Sequence, residues 1–132
     1  MESTPRKTSR RLLGDRGETI ACQWYLDHGY EIIDRNVAIS RVGEIDVIVQ
    51  LSAGHKTEIV FAEVKTRTDS RAGHGYEAIS YEKRVRMRNT AMAWIGDNVD
   101  HIHQRISWRL DVVSIDMSNN PPLVRVFENI EI

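Results

Sequence analysis

Two stretches decide the fold: Ile45-Asp46-Val47-Ile48-Val49-Gln50-Leu51 and Glu58-Ile59-Val60-Phe61-Ala62-Glu63-Val64-Lys65-Thr66. Each is a short run that is apolar at most positions and rich in β-branched residues. Such runs read as strands covered on both faces. Ser52-Ala53-Gly54-His55 between them is a turn, so the pair reads as an antiparallel hairpin. Charge enters the two runs at telling places. Asp46 interrupts the first, and Glu63 and Lys65 stand two apart in the second. A period of two puts Glu63 and Lys65 on the face of Ile59 and Phe61, with Val64 on the other. That face is greasy first and charged at one end, as expected where a buried sheet opens onto a site at its edge.

Working outward, a helix is expected from about Asp15 to His28. Its core stripe is Ala21, Trp24 or Tyr25, and His28, with Cys22 adjacent and Gly29 as its stop. Tyr30-Glu31-Ile32-Ile33 begins a strand that continues to Ile39. Residues 68–76 read as a flexible loop. A second helix is expected from about Tyr81 to Ile95, capped by Ser80, with Met87, Ala91, Trp94 and Ile95 inward and Gly96-Asp97-Asn98 as its end. Trp108 to Asp116 and Leu123 to Phe127 read as two more strands, separated by the turn Asn119-Asn120-Pro121-Pro122. The order α-β-β-β-α-β-β is α/β: a central mixed sheet flanked by helices. Residues 1–12 read as a flexible basic tail, and 13–132 as one domain.

The chain has 132 residues, 41% of them hydrophobic and 28% charged, which is globular composition and enough for one core. Its one cysteine, Cys22, excludes an intrachain disulfide and reads as a core filler. Met1 to Arg11 hold no apolar run, so no signal peptide is expected, and no segment has the length of a membrane helix. The expected setting is cytoplasmic. The net charge of −1 does not advertise nucleic-acid binding, but its distribution is uneven. Arg6, Lys7, Arg10, Arg11 and Arg16 cluster near the start, and Lys83, Arg84, Arg86 and Arg88 form a second basic group. Asp111, Asp116, Glu128 and Glu131 load the C-terminal end with acid.

Asp46, Glu63 and Lys65 are the residues that carry chemistry. Two carboxylates on paired strands suit one hard divalent cation, Mg²⁺ or Mn²⁺, with the Val64 carbonyl as a third oxygen. A nearby lysine orients water or balances developing negative charge. The competing reading is a salt bridge from Lys65 to Asp46 or Glu63 at a strand end. Glu18 lies one turn before Ala21 and Cys22 and so faces the sheet; Asp15-Arg16-Gly17-Glu18 also has the spacing of a capping box. Glu44 reads as a strand-end surface residue, and Arg109 with Asp111 as a structural ion pair on one strand face. His101 and His103 read as loop histidines. No Walker pattern is present, and Gly73-His74-Gly75 belongs to the loop.

A wider pattern runs through Gly14-Asp15-Arg16-Gly17-Glu18, Gly29-Tyr30-Glu31-Ile32, Arg35-Asn36, Gly43-Glu44-Ile45-Asp46-Val47-Ile48, Val60-Phe61-Ala62-Glu63-Val64-Lys65-Thr66-Arg67, Lys83-Arg84 and Arg109-Leu110-Asp111-Val112-Val113. It resembles the YraN-like family of small bacterial proteins over roughly residues 12–130. The Asp46…Glu63-Val64-Lys65 element resembles the PD-(D/E)XK nuclease superfamily signature, with Ile45 where the signature has proline. The resemblance implies a restriction-endonuclease-like αβββαβ core, similar to archaeal Holliday junction resolvases. It also implies a metal site built from Glu18, Asp46, Glu63 and Lys65. The implied activity is metal-dependent endonucleolytic hydrolysis of DNA, branched DNA included. Arg67, Lys83, Arg84 and Arg11 are the candidate backbone contacts, and a homodimer is expected if two strands are cut symmetrically. The alternatives are a non-catalytic nucleic-acid-binding module, or a protein-interaction adaptor that uses the acidic C-terminal end.

Overall fold

A computed structural model of the chain describes residues 8–68, 79–99 and 105–130. Residues 1–7 of the expected tail, most of the expected loop with Gly73-His74-Gly75, and His101 and His103 lie outside the described residues. The elements are α1 (Ser9–Asp27), β1 (Glu31–Ile39), β2 (Gly43–Ala53), β3 (Lys56–Arg67), α2 (Tyr81–Asn98), β4 (Arg105–Asp116) and β5 (Leu123–Phe127). They form a five-stranded sheet in the order β1-β2-β3-β4-β5. Only β3 and β4 pair parallel, with α2 as the crossover between them, and the other neighbours are antiparallel. The fold is therefore α/β, a mixed sheet flanked by two helices. Among the described residues no helix is long and apolar enough to cross a membrane.

The sheet is covered on both faces, as the apolar runs of β2 and β3 require. On one face Ile45, Ile48, Ile59, Phe61, Leu110 and Val112 meet Met87, Ala91 and Ile95 of α2. On the other, Val47, Val49, Val60, Ala62, Val113 and Ile115 meet Ala21, Cys22 and Tyr25 of α1. Strict alternation would put Ile45 and Val47 on one face, yet they serve opposite cores. The break lies at Asp46. On the neighbouring strand Asn36 sits in the left-handed region at φ 52°.

Helix α1 begins at Ser9 rather than near Asp15, so Ser9–Leu12 of the expected tail are its first turn. The Thr8 side chain caps it, accepting from Arg11 N at 3.1 Å. The Asp15…Glu18 spacing is thus helix interior and not a cap. The end is as expected: Gly29 N–H donates to Leu26 O and Tyr30 N–H to Tyr25 O, with Gly29 at φ 89°. This paired closure is the Schellman arrangement, which favours glycine at that position. His28 corrects the expected stripe. It caps the helix exposed to solvent and stacks on Trp24 at 3.7 Å, so Tyr25 is the residue that reaches the core. Helix α2 starts under the Ser80 cap, with Lys83 N–H donating to its hydroxyl at 3.1 Å, and runs through Gly96 to Asn98.

The Arg109–Asp111 pair is a structural one. Asp111 is 0% exposed and accepts from Tyr25 Oη at 2.8 Å, Arg109 Nε at 2.9 Å and Asn129 N at 3.0 Å. Arg109 also pairs with Glu58 and donates to Tyr30 Oη at 3.0 Å. A buried charge is tolerated only when so fully partnered. This network ties β4 to α1 and to the segment after β5.

Gly17 sets how closely α1 approaches β3. A Cβ there would stand 2.0 Å from Thr66 Oγ1. We expect Gly17→Ala to destabilise the fold by about 1–3 kcal/mol, because overpacking outweighs the gain in helix propensity of about 1 kcal/mol. In a Thr66→Ala background the penalty shrinks, since the clashing oxygen is gone. Denaturant unfolding of the double-mutant cycle checks this, and equal penalties in both backgrounds would contradict it.

Candidate active site

The sheet forks at the open end of the β2–β3 hairpin. The ladder between these strands ends at the Val47–Ala62 pair. Beyond it Asp46 and Glu63 do not pair with each other through the backbone. Instead the Val64 N–H donates to Asp46 Oδ2 at 2.8 Å. A side-chain carboxylate thus takes the place of the strand carbonyl that would have continued the ladder. In an extended strand the N–H and C=O of one residue point to the same edge, so the Val64 carbonyl also faces the fork. From there on β3 is paired with β4 alone.

Glu63 is 6% exposed and stands on the α2 face. Its Oε1 lies 3.3 Å from Lys83 Nζ and 3.9 Å from Lys65 Nζ. Burial, then the Asp46 charge, pushes its carboxyl up to about 7, with Lys83 and Lys65 pulling it back. Glu18 reaches the same region from α1, on the opposite face. It is 9% exposed, its Oε1 lies 3.7 Å from Arg35 Nη2, and among the described residues that oxygen accepts no hydrogen bond. Its carboxyl is also pushed up, by burial first and then by the Asp46 charge, while Asn36 and Arg35 oppose the shift. Asp46 therefore stands between two buried acids that approach from different faces of the sheet.

The fold brings Glu18, Asp46, Glu63, Val64 and Lys65 to the fork and adds Lys83 from the first turn of α2. Arg35, on β1, faces Glu18 and donates to Asp15 O at 3.2 Å. The sequence pattern includes Arg35-Asn36 and Gly17 but assigns no role to Arg35 or Asn36 and no packing role to Gly17. The left-handed φ at Asn36, a residue type that tolerates it, was the available signal. Arg11 is exposed, 3.7 Å from Asp15, and lines a cleft with Thr8, Arg10, Gly14, Asp15 and Glu18. Arg67 is half-buried at the end of β3, and its Nε has no hydrogen-bond partner among the described residues. Arg84 is half-buried on α2, and Glu44 is exposed at the start of β2.

The donor set at the fork is all oxygen: two carboxylates and a main-chain carbonyl. Hard divalent cations take such ligands and retain water for the remaining positions. Among the described residues no three histidine, cysteine or carboxylate side chains form a ready metal cluster. A cation here would therefore rely on the Asp46–Glu63 pair and the Val64 carbonyl. The residues fit that group: Glu63 is held at a raised proton affinity by burial and then by the Asp46 charge, and a bound cation would favour the ionised form against both.

The raised Glu63 carboxyl makes a signed prediction for the metal-free protein. Its folded value of about 7 exceeds the ordinary 4.5, so the folded state holds the proton more tightly than the unfolded chain. Stability is then full below about pH 4.5 and falls, by on the order of 1–3 kcal/mol, as pH rises to about 7. Glu63→Gln should remove this slope. Unfolding in chelator at several pH values reads it, and an unchanged slope in the variant would refute the assignment.

Comparison with known proteins places the chain. A UPF0102 protein of Corynebacterium glutamicum (strain R) is 40% identical over 128 residues, 95% of this chain and 96% of its own. One from Bifidobacterium longum (strain NCC 2705) is 32% identical over 125 residues, 94% of this chain and 96% of its own. One from Leifsonia xyli subsp. xyli (strain CTCB07) is 48% identical over 82 residues, 62% of this chain and 65% of its own. The model of "Uncharacterised protein family UPF0102" matches residues 17–115, a span that opens at Gly17 and takes in Glu18, Asp46, Glu63, Lys65 and Lys83. The chain belongs to the UPF0102 family.

Proposed function

We propose that this chain is a divalent-cation-dependent endonuclease of restriction-endonuclease-like fold that hydrolyses DNA phosphodiester bonds, branched DNA among them. The observation that carries the reading is the fork itself. Asp46 is held on the Val64 N–H beside a nearly buried Glu63, with Lys65 one step further along the same strand face. A salt bridge alone explains this poorly. The Lys65 contact is long, and burial with the Asp46 charge raises the glutamate carboxyl to about 7 although two ammonium groups face it. Such frustrated carboxylates are costly and mark functional sites.

In this reading Asp46, Glu63 and the Val64 carbonyl hold Mg²⁺ or Mn²⁺. When bound, the cation supplies Lewis-acid polarisation of a phosphate oxygen and acidifies water. Lys65, with its ammonium partly exposed beside Glu63, orients the attacking water and balances the charge that builds on the phosphate. Glu18 supports the site from the α1 side. Arg67, Lys83, Arg84 and Arg11 hold backbone phosphates, a salt-sensitive contact that carries no sequence information. If both strands of a two-fold substrate are cut, the working form is a homodimer. The second reading is a nucleic-acid-binding module without cleavage, favoured by the overall charge of −1.

The test is cleavage of labelled linear, flapped, nicked and four-way-junction DNA with Mg²⁺, Mn²⁺ or chelator. We expect metal-dependent cutting by wild type, and losses of about 100-fold or more in Asp46→Ala and Lys65→Ala. A well-folded wild type that cuts none of these with either metal would remove the nuclease reading.

A further inference from the structure

Beyond the fork, the sheet face that carries Glu63 and Lys65 continues in rows across β3, β4 and β5. Ladder partners share a face, so the register gives these rows directly. Phe61 stands beside Leu110, and Glu63 beside Val112 and Phe127. The next row is Lys65, Ser114 and Arg125, followed by Arg67, Asp116 and Leu123. The apolar members of the first two rows are core: Phe61, Leu110 and Val112 are buried, and Phe127 packs against them. The change from apolar to polar that β3 makes at Glu63 is repeated on its two neighbours one row further on, at Ser114 and Arg125. Lys65 is half-exposed, Ser114 is largely buried with a hydroxyl able to donate, and Arg125 is exposed on an edge strand.

We propose that this Lys65–Ser114–Arg125 row is a shelf for the sugar-phosphate backbone of a nucleic-acid strand leaving the site, and that Arg125 grips a neighbouring phosphate on it. The proposal rests on the nucleic-acid reading above and names the direction in which the strand runs. Charge complementarity selects the occupant. Two cations flank a hydroxyl donor in one line, starting at the residue that would face the reacting phosphate. Two strand spacings, about 10 Å, separate the backbones of Lys65 and Arg125. An arginine side chain spans enough of that gap to meet a phosphate next to the one at Lys65. The acid on the adjoining row, Asp116, is committed to its own turn, where it accepts from Ser118 N at 2.9 Å and Asn119 Nδ2 at 3.1 Å, and the Arg67 charge acts on it as well. Its charge remains, and the Arg67 charge beside it offsets it in part.

The experiment is fluorescence anisotropy of labelled single-stranded and four-way-junction DNA, in chelator, across a salt series. Arg125→Ala should weaken binding several-fold whatever the sequence and lower the slope of log K against log salt by about 1. Arg125→Lys should restore most of that slope, which a packing role for the guanidinium would not. Lys56→Ala, at the far end of β3, serves as the control and should match wild type. A folded Arg125→Ala with wild-type affinity and slope overturns the shelf. Absence of DNA binding by wild type overturns both the shelf and the nucleic-acid reading. DNA binding by a wild type that never cuts removes only the nuclease reading, and the Arg125 slope still decides the shelf.

Discussion

The site depends on one hydrogen bond, from the Val64 N–H to Asp46 Oδ2 at 2.8 Å. It lies where the β2–β3 ladder stops, and it solves two problems together. A backbone donor that would otherwise face a gap in the sheet gains an acceptor, and a carboxylate that interrupts an apolar strand gains a donor. With the strands held apart at this point, Glu63 and the Val64 carbonyl face an opening and not a partner strand. The two helices then close on the opening from opposite faces. Helix α1 comes near enough to present Glu18 because residue 17 has no side chain, and α2 presents Lys83 from the turn after its Ser80 cap.

Among the described residues two buried carboxylate systems stand in contrast, and the contrast separates structure from chemistry. Asp111 is saturated with donors: a phenol, a guanidinium and a backbone amide. Its charge is accounted for, and it joins elements of the fold. Glu63 and Glu18 are nearly as inaccessible but less fully compensated, with ion-pair distances of 3.3 to 3.9 Å, a raised proton affinity at both and, among the described residues, an oxygen of Glu18 without a hydrogen bond. Leaving a buried acceptor unsatisfied costs about 1–3 kcal/mol, more for a charged group. A chain that satisfies one buried carboxylate so thoroughly and leaves two others short has concentrated its strain at the fork.

Much of this was legible in the sequence. The continuous apolar runs of β2 and β3 announced a sheet covered on both faces, and the short turn between them an antiparallel hairpin. Period-two counting placed Glu63 and Lys65 together, and helical spacing aimed Glu18 at the sheet. The boundaries of α1 were less legible. Gly14, Asp15 and Gly17 look like a helix start, and only the contact with Thr66 explains why glycine is used inside a helix. The face switch between Ile45 and Val47 was hidden as well, because alternation is a local rule and the break at Asp46 comes from how three strands meet. The place of Arg35 beside Glu18, and that of Arg125, were illegible for a similar reason: they follow from how elements meet across the sheet, which no single segment contains.

The most direct test of the account is a titration of the metal-free protein with Mn²⁺ at pH 7, read by calorimetry and by the spectrum of the ion. The account predicts one ion per chain, bound with release of a fraction of a proton because the Glu63 carboxyl is held at about 7, and bound far more weakly in Asp46→Asn and Glu63→Gln. Equal binding in wild type and both variants, or no binding by a folded wild type, would contradict it.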